Sequence, residues 1–208
     1  HFTFPVTSEQ VLRSACIADP LKLLDCSPIS DGAAAVIISQ NTKLNPPAGG
    51  QNSKHIKILA CEVATDTLGL AQRETLTELK ATKIAGQKAY QSAGVSAKDI
   101  DVAELHDCFT IAEIMALEDL GFYKKGEAGP KVLKGETKLG AKGLITNTSG
   151  GLKACGHPVG ATGVKQIVEI TKQLRGEGEK KQVKGARVGL CHNVGGTGAT
   201  AVVTILTN

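Results

Sequence analysis

The residues able to do chemistry gather in three short stretches, each setting a cysteine beside a histidine. In AELHDCFTIAEI, from Ala103 to Ile114, His106, Asp107 and Cys108 stand between an apolar run and a helical pattern. Cys155 and His157 lie within TSGGLKACGHPVGATG, and Cys191 and His192 stand together just before Asn193 and a glycine-rich GGTG. An imidazole changes charge near neutral pH, and a thiolate is a strong nucleophile and a metal ligand. Such pairs can therefore bind metal, merely pack, or move protons and attack carbonyls.

Metal binding fits poorly, because the three pairs have different spacings and none matches a zinc knuckle. Packing fits Cys16, Cys26 and Cys61, which read as small buried hydrophobes, and Cys155 and Cys191 read the same way beside their histidines. Cys108 is the exception. It precedes a helix expected to begin near Phe109, where the helix dipole and a nearby imidazole should lower its pKa from about 8.5. His157 is followed by Pro158 and flanked by Gly150, Gly151, Gly156, Gly160 and Gly163. That setting predicts a histidine at a glycine-lined helix start, open to a close-approaching substrate or second chain and suited to act as a base. HNVGGTG reads as a hairpin loop whose N–H groups could meet a developing oxyanion.

An alternation of strands and helices must position these groups. Thr7-Ser8-Glu9-Gln10 has capping-box form and starts a short helix toward Ala15, and AAAVIIS (Ala33 to Ser39) has strand length and composition. The Asn-, Pro- and Gly-rich stretch from Gln40 to Ser53 reads as a linker. Beyond it, HIKILACEVA predicts a strand, Leu79 to Ala93 a helix stopped near Gly94, and IDVAEL a strand. Thr110 to Leu120 then predicts a helix stopped at Gly121, and GLITN a short strand. A helix from about Gly160 to Leu174 follows, and ARVGLC and TAVVTIL form a final strand pair. The class is α/β, a largely parallel sheet covered by helices with an antiparallel element at one end. The three Cys/His pairs then fall near strand ends on one rim, where ligands of open α/β sheets collect.

The bulk properties exclude several classes. With 24 Lys and Arg against 20 Asp and Glu, and no run of like charge beyond pairs, nothing marks a nucleic-acid or membrane surface. No apolar run reaches the roughly 20 residues of a bilayer span, and no signal peptide opens the sequence. Six cysteines without a C-x-x-C pair fit reduced thiols in a cytoplasmic setting. The start at His1 and the single methionine, Met115, are expected of a piece of something longer.

HDCF (His106 to Phe109), GHPVGATG (from Gly156) and HNVGGTGATAVV (from His192), in that order, resemble the C-terminal half of a thiolase. Thiolases make or break a carbon–carbon bond between CoA thioesters, and the likeness is to the archaeal and sterol-carrier-protein types. CSPISDGAAAVII (from Cys26) similarly resembles the end of that family's N-terminal half. The resemblance implies a thiolase-like fold with a mixed, mostly parallel five-stranded sheet. It divides the chain into 1–52, the end of the N-terminal half, and 53–208, the C-terminal domain. It implies that His157 activates the nucleophilic cysteine, that His106 contributes to an oxyanion hole, and that Cys108 is the acid/base cysteine. Ser27 and Phe109 are implied substrate contacts. Where commoner thiolases carry a C-x-G cysteine, this chain has His192 to Gly195, leaving Asn193 and Gly195 as candidates for the oxyanion-donating N–H. The nucleophile itself is expected in a missing N-terminal half, so the chain alone should be inactive. The implied partners are acyl-CoA substrates, that N-terminal half, further subunits of a homo- or hetero-oligomer, and hydroxymethylglutaryl-CoA synthase. Coenzyme A enters as substrate or product, with no bound cofactor. Two other readings stand beside this one: a non-catalytic scaffold or acyl-binding subunit, and a self-sufficient enzyme with Cys108 as nucleophile.

Overall fold

The computed structural model describes residues 3–40 and 55–208. The expected linker, apart from Gln40, and the expected boundary after residue 52 lie outside the described residues. Near the start, the Thr7 hydroxyl accepts the Gln10 N–H at 3.2 Å and the Gln10 side chain accepts the Thr7 N–H at 2.7 Å, closing the capping box. The helix it opens, α1 (Ser8–Arg13), ends short of Ala15 because Ser14 turns extended and its hydroxyl bonds the Val11 carbonyl. A small hairpin follows, β1 (Cys16–Ala18) and β2 (Leu21–Lys22), which the sequence pattern did not announce.

The strand expected over Ala33 to Ser39 is not formed. Ile37 and Ile38 are 94% and 72% exposed. Strand propensity measures how well a side chain fits a pleated, half-buried surface. Among the described residues no strand lies alongside this run to supply that surface.

After residue 54 the elements are β3 (Lys57–Thr65), α2 (Lys80–Ala93), β4 (Val102–Glu104), α3 (Thr110–Asp119), α4 (Ala128–Leu133), β5 (Ile145–Thr146), α5 (Gly151–Cys155), α6 (Thr162–Arg175), β6 (Val188–Gly195) and β7 (Thr200–Thr207). The five strands form one mixed sheet in the order β3-β7-β6-β4-β5. Because β7 is antiparallel to both neighbours, and β4 is parallel to β5 and β6, four strands run one way and β7 alone the other. Helix α2 stops where Gly94 takes the left-handed conformation, as expected. The short helices α4 and α5 have no periodic apolar pattern and were not anticipated.

Helices cover both faces of the sheet. On one, Ala81, Ala85 and Ala89 of α2 and Leu117 of α3 pack against Leu105, Leu190, Val203 and Ile205. On the other, Ile170 and Leu174 of α6 pack against Val102, Cys191 and Leu206. The approach of α6 is close: a Cβ on Gly189 would lie 2.4 Å from Ile170 Cγ2. Thr162, Gln166, Ile170 and Leu174 recur every fourth residue and are all buried, so they form one stripe. Burying Ile170 and Leu174 contributes about 1.5–3 kcal/mol each and seats the helix. The polar half of the same stripe, Thr162 and Gln166, is thereby carried to the rim.

The expected loop HNVGGTG is mostly strand. β6 runs through Gly195, pairing His192 with Val203 and Asn193 with Val202. Both polar side chains find partners, His192 on α2 and Asn193 on α6, so they do not end the strand. Among the described residues no helix is long and apolar enough to cross a membrane.

Candidate functional site

The segment 25–29 threads between the two motifs that carry His106 and His157. The Ser27 N–H bonds the Cys108 carbonyl at 2.9 Å, and Cys26 forms an isolated bridge with Phe109. Two residues on, Ile29 bridges His157, and the His157 N–H bonds the Pro28 carbonyl at 3.0 Å. Lys153 of α5 fastens the thread by donating to the Cys26 carbonyl at 2.6 Å. Short-range backbone pairing thus brings Ser27, Cys108 and His157 together from sequence positions far apart.

The imidazoles of His106 and His157 meet edge to face, with ring centroids 4.9 Å apart. Burial, aided by the neighbouring His157, pushes His106 down to a pKa of about 4, and burial also lowers His157. Both rings are therefore neutral at pH 7 and each carries one ring proton. At His157, Nδ1 lies 2.7 Å from the Thr162 hydroxyl, which itself donates to the Pro158 carbonyl at 3.1 Å. A hydroxyl has a single proton. With that proton on the carbonyl, Thr162 accepts from Nδ1–H, and Nε2 of His157 is left with a free lone pair. His157 lies ahead of α6, in the stretch bridged to Ile29, and not at the helix start expected from Pro158.

Cys108 stands two residues before α3, as expected, yet burial pushes its thiol up. The Asp107 carboxyl adds to that rise, and together they outweigh the lowering by the Phe109 backbone N–H. The expected activation to thiolate is overturned, because desolvation of a buried charge exceeds the pull of one helix end. The other cysteines also depart from expectation. Cys16 and Cys61 are exposed and Cys26 half-buried, whereas only Cys191 is fully packed. Cys155 is half-buried and its thiol donates to the Ser149 carbonyl at 3.0 Å. Phe109 caps α3 and is 41% exposed.

Asn193 reaches the site through its side chain: Nδ2 lies 3.2 Å from His106 Nδ1 and 3.4 Å from Gln166 Oε1. Gly195 sits at the exposed end of β6, two residues beyond. His192 is turned to the opposite face, fully buried beside Thr82 at 2.9 Å, with a pKa pushed down by burial to about 3. No group of three or more His, Cys, Asp or Glu among the described residues is arranged to hold a metal ion.

Three carboxyls lie in this region, Glu104 buried and Asp107 and Glu113 partly buried, and of them only Asp107 stood out in the sequence. Glu104 accepts from the Ser149 hydroxyl at 2.6 Å, Glu113 from Thr146 at 2.8 Å, and Asp107 from the Leu152 N–H at 2.8 Å. Burial raises the pKa of all three, Asp107 to about 6. Gly151 beneath Asp107 has φ +62, and a Cβ there would lie 2.1 Å from the carboxyl oxygen, so only glycine fits. Glu104 left a signal: it is a carboxylate inside a strand that must be covered on both faces. Thr162 and Gln166 left one too, as polar residues in register with Ile170 and Leu174.

Residues 63–208 match the family described as thiolase C-terminal domain-like. An acetyl-CoA acetyltransferase of Methanothermobacter thermautotrophicus is 47% identical over 99% of this chain and 52% of its own length. Another, from Methanocaldococcus jannaschii, is 46% identical over the whole chain and 54% of its length. Sterol carrier protein 2 of Homo sapiens is 41% identical over 95% of the chain and 36% of its own length. Among solved structures, an Ltp2-ChsH2(DUF35) aldolase superposes with a TM-score of 0.75 over 96% of this chain and 51% of that one, at 23% identity, a likeness of fold. The chain spans about half the length of the archaeal relatives. With its ordered motifs, its sheet and a family match over most of its residues, this chain belongs to the thiolases, through their C-terminal domain.

Proposed function

We propose that the chain is the C-terminal portion of a thiolase that forms or cleaves acetoacetyl-CoA, with other 3-oxoacyl-CoA substrates as the main variant. The observation that carries this reading is the pair of neutral imidazoles in edge contact, one of them left with a bare Nε2. In the thiolysis direction, a nucleophilic cysteine supplied by the N-terminal half attacks the 3-oxo carbon. His157 Nε2 takes the thiol proton, and His106 donates a hydrogen bond to the thioester oxygen as the enolate leaves. Cys108, kept as a protonated thiol by burial, delivers the proton that turns the enolate into acetyl-CoA. Transfer of the acyl group to coenzyme A then frees the nucleophile.

The raised Cys108 pKa favours this assignment over one in which Cys108 is itself the nucleophile. None of Cys16 on β1, Cys61 on β3, or Cys26 beyond a 3-10 turn at Leu23–Asp25 occupies a strand-to-helix junction, so the nucleophile is assigned to the other half. The names of the archaeal relatives support acetyl transfer as the activity of the whole protein. Thiolysis of acetoacetyl-CoA by the intact protein tests the reading. His157→Ala and Cys108→Ala are each expected to lower kcat by about 10²–10⁴-fold. Wild-type rates in both would overturn the assignment.

A further inference from the structure

Gln166 has no part in the chemistry just proposed, yet it is 2% exposed and heads a chain of hydrogen bonds that ends on His106. Its Nε2 donates to the His192 carbonyl at 2.9 Å. Its Oε1 lies 3.4 Å from Asn193 Nδ2, and that same amide nitrogen lies 3.2 Å from His106 Nδ1. Each link has a forced direction. A backbone carbonyl only accepts, so Gln166 must turn its NH₂ toward it and its oxygen away. That oxygen also only accepts, so Asn193 must present its NH₂. An amide NH₂ has no usable lone pair, so His106 Nδ1 must be the acceptor.

We propose that Gln166 is a positioning residue which, through Asn193, fixes His106 as the tautomer protonated on Nε2. A main-chain carbonyl of β6 thereby dictates which ring nitrogen of a histidine two residues beyond β4 is a donor. The inference deepens the functional reading, in which His106 serves as a hydrogen-bond donor. Without the relay, a neutral imidazole would divide its proton between two nitrogens, and only one tautomer offers Nε2–H. The seating of α6 by Ile170 and Leu174 explains why Gln166 holds one position. A merely structural Gln166 would satisfy the His192 carbonyl and leave the His106 tautomer unaffected.

The test reads the tautomer directly, by nitrogen-15 NMR of the histidine rings in the intact protein without substrate. In the wild type, His106 is expected to show protonated Nε2 and bare Nδ1; a proton on Nδ1 would overturn the proposal whether or not any variant folds. Gln166→Met is expected to give a mixture of tautomers and to lower kcat for thiolysis about tenfold with KM little changed. Asn193→Asp, which places an acceptor against Nδ1, is expected to invert the tautomer. An unchanged His106 signature in a folded Gln166→Met protein sinks the relay. Because the signature is read without turnover, its failure is separable from failure of the thiolase reading, which the His157→Ala and Cys108→Ala rates decide.

Discussion

The two histidine corners of the site are built from opposite materials. His106 sits two residues beyond β4, 5% exposed, and is held by a side chain from the neighbouring strand β6. His157 sits in an irregular stretch, half-buried, and is held by Thr162 five residues along its own chain. One Nδ1 faces a group that can only donate, the other a hydroxyl whose proton is already committed. That difference suits the roles proposed for them, the first ring as a donor and the second as a base. Burial keeps both uncharged, His106 more strongly than His157. Residue type therefore does not set the role; the neighbour of the hidden nitrogen does. Both neighbours are set by one face of α6, through Thr162 directly and through Gln166 by way of Asn193.

The sharpest way to break this contrast is to remove the donor while keeping the bulk. His106→Leu is expected to lower kcat for acetoacetyl-CoA thiolysis by about 10²–10³-fold, the usual cost of losing one oxyanion donor. His106→Asn retains an N–H and is expected to recover most of that loss. Steady-state kinetics of the two variants side by side decide it. Equal losses would mean that the ring acts by shape and not as a donor.

A smaller effect is expected at the other corner. Thr162→Val removes the acceptor for His157 Nδ1–H and frees the proton to move to Nε2, where it blocks the base. A loss of about tenfold in kcat follows from roughly 1.4 kcal/mol of lost orientation. Thr162→Ser should stay near wild type. The pH profile sharpens the test. His157 has its pKa lowered by burial alone, so the base should stay active somewhat below pH 6.5 before protonation switches it off. Thr162→Val leaves that burial in place, so the rate should fall while the acid limb stays put. A shifted limb would show that the hydroxyl tunes charge and not tautomer.

How much of this could be read from the chain depended on whether a feature is local. Helix α2 with its Gly94 stop, α6, and the β6–β7 pair were legible because their periodicity and glycine punctuation are carried within each segment. The motifs of His106, Cys108 and His157 stood out for the same reason, being short and ordered, and the structure sets the rings of His106 and His157 in contact. The run Ala33 to Ser39 was misread because a strand needs a neighbour that the segment does not itself contain. Cys108 was misread for a related reason: a helix end is visible in sequence, whereas the desolvation that outweighs it depends on everything packed around it. Gln166 and Thr162 lay in plain view on a helical stripe, but their meaning required knowing what the stripe faced.

Asp107 offers the finest test of how the two corners are joined, since it is adjacent to His106 yet caps the helix that leads to His157. Burial raises its pKa from 3.8 to about 6, with Glu113 adding to the rise and Lys165 opposing it. A carboxyl raised in the folded state contributes its full stability below pH 3.8 and loses it as pH climbs through about 6. The shift corresponds to at most about 3 kcal/mol. Asp107→Asn keeps an oxygen for the Leu152 N–H, whose pull on the carboxylate is already contained in that shift, so the gain at pH 8 is at most about 3 kcal/mol. Below pH 4 that gain should vanish. The depressed histidines push the other way, losing stability as pH falls below 6.5, but they are common to both proteins and cancel in the difference. Chemical denaturation of wild type and variant at pH 4, 6 and 8 measures that difference. A variant less stable than wild type at pH 8 but not at pH 4 would mean that the carboxylate is needed, ionised, to hold α5 in place, and that the two corners are coupled by charge and not by shape.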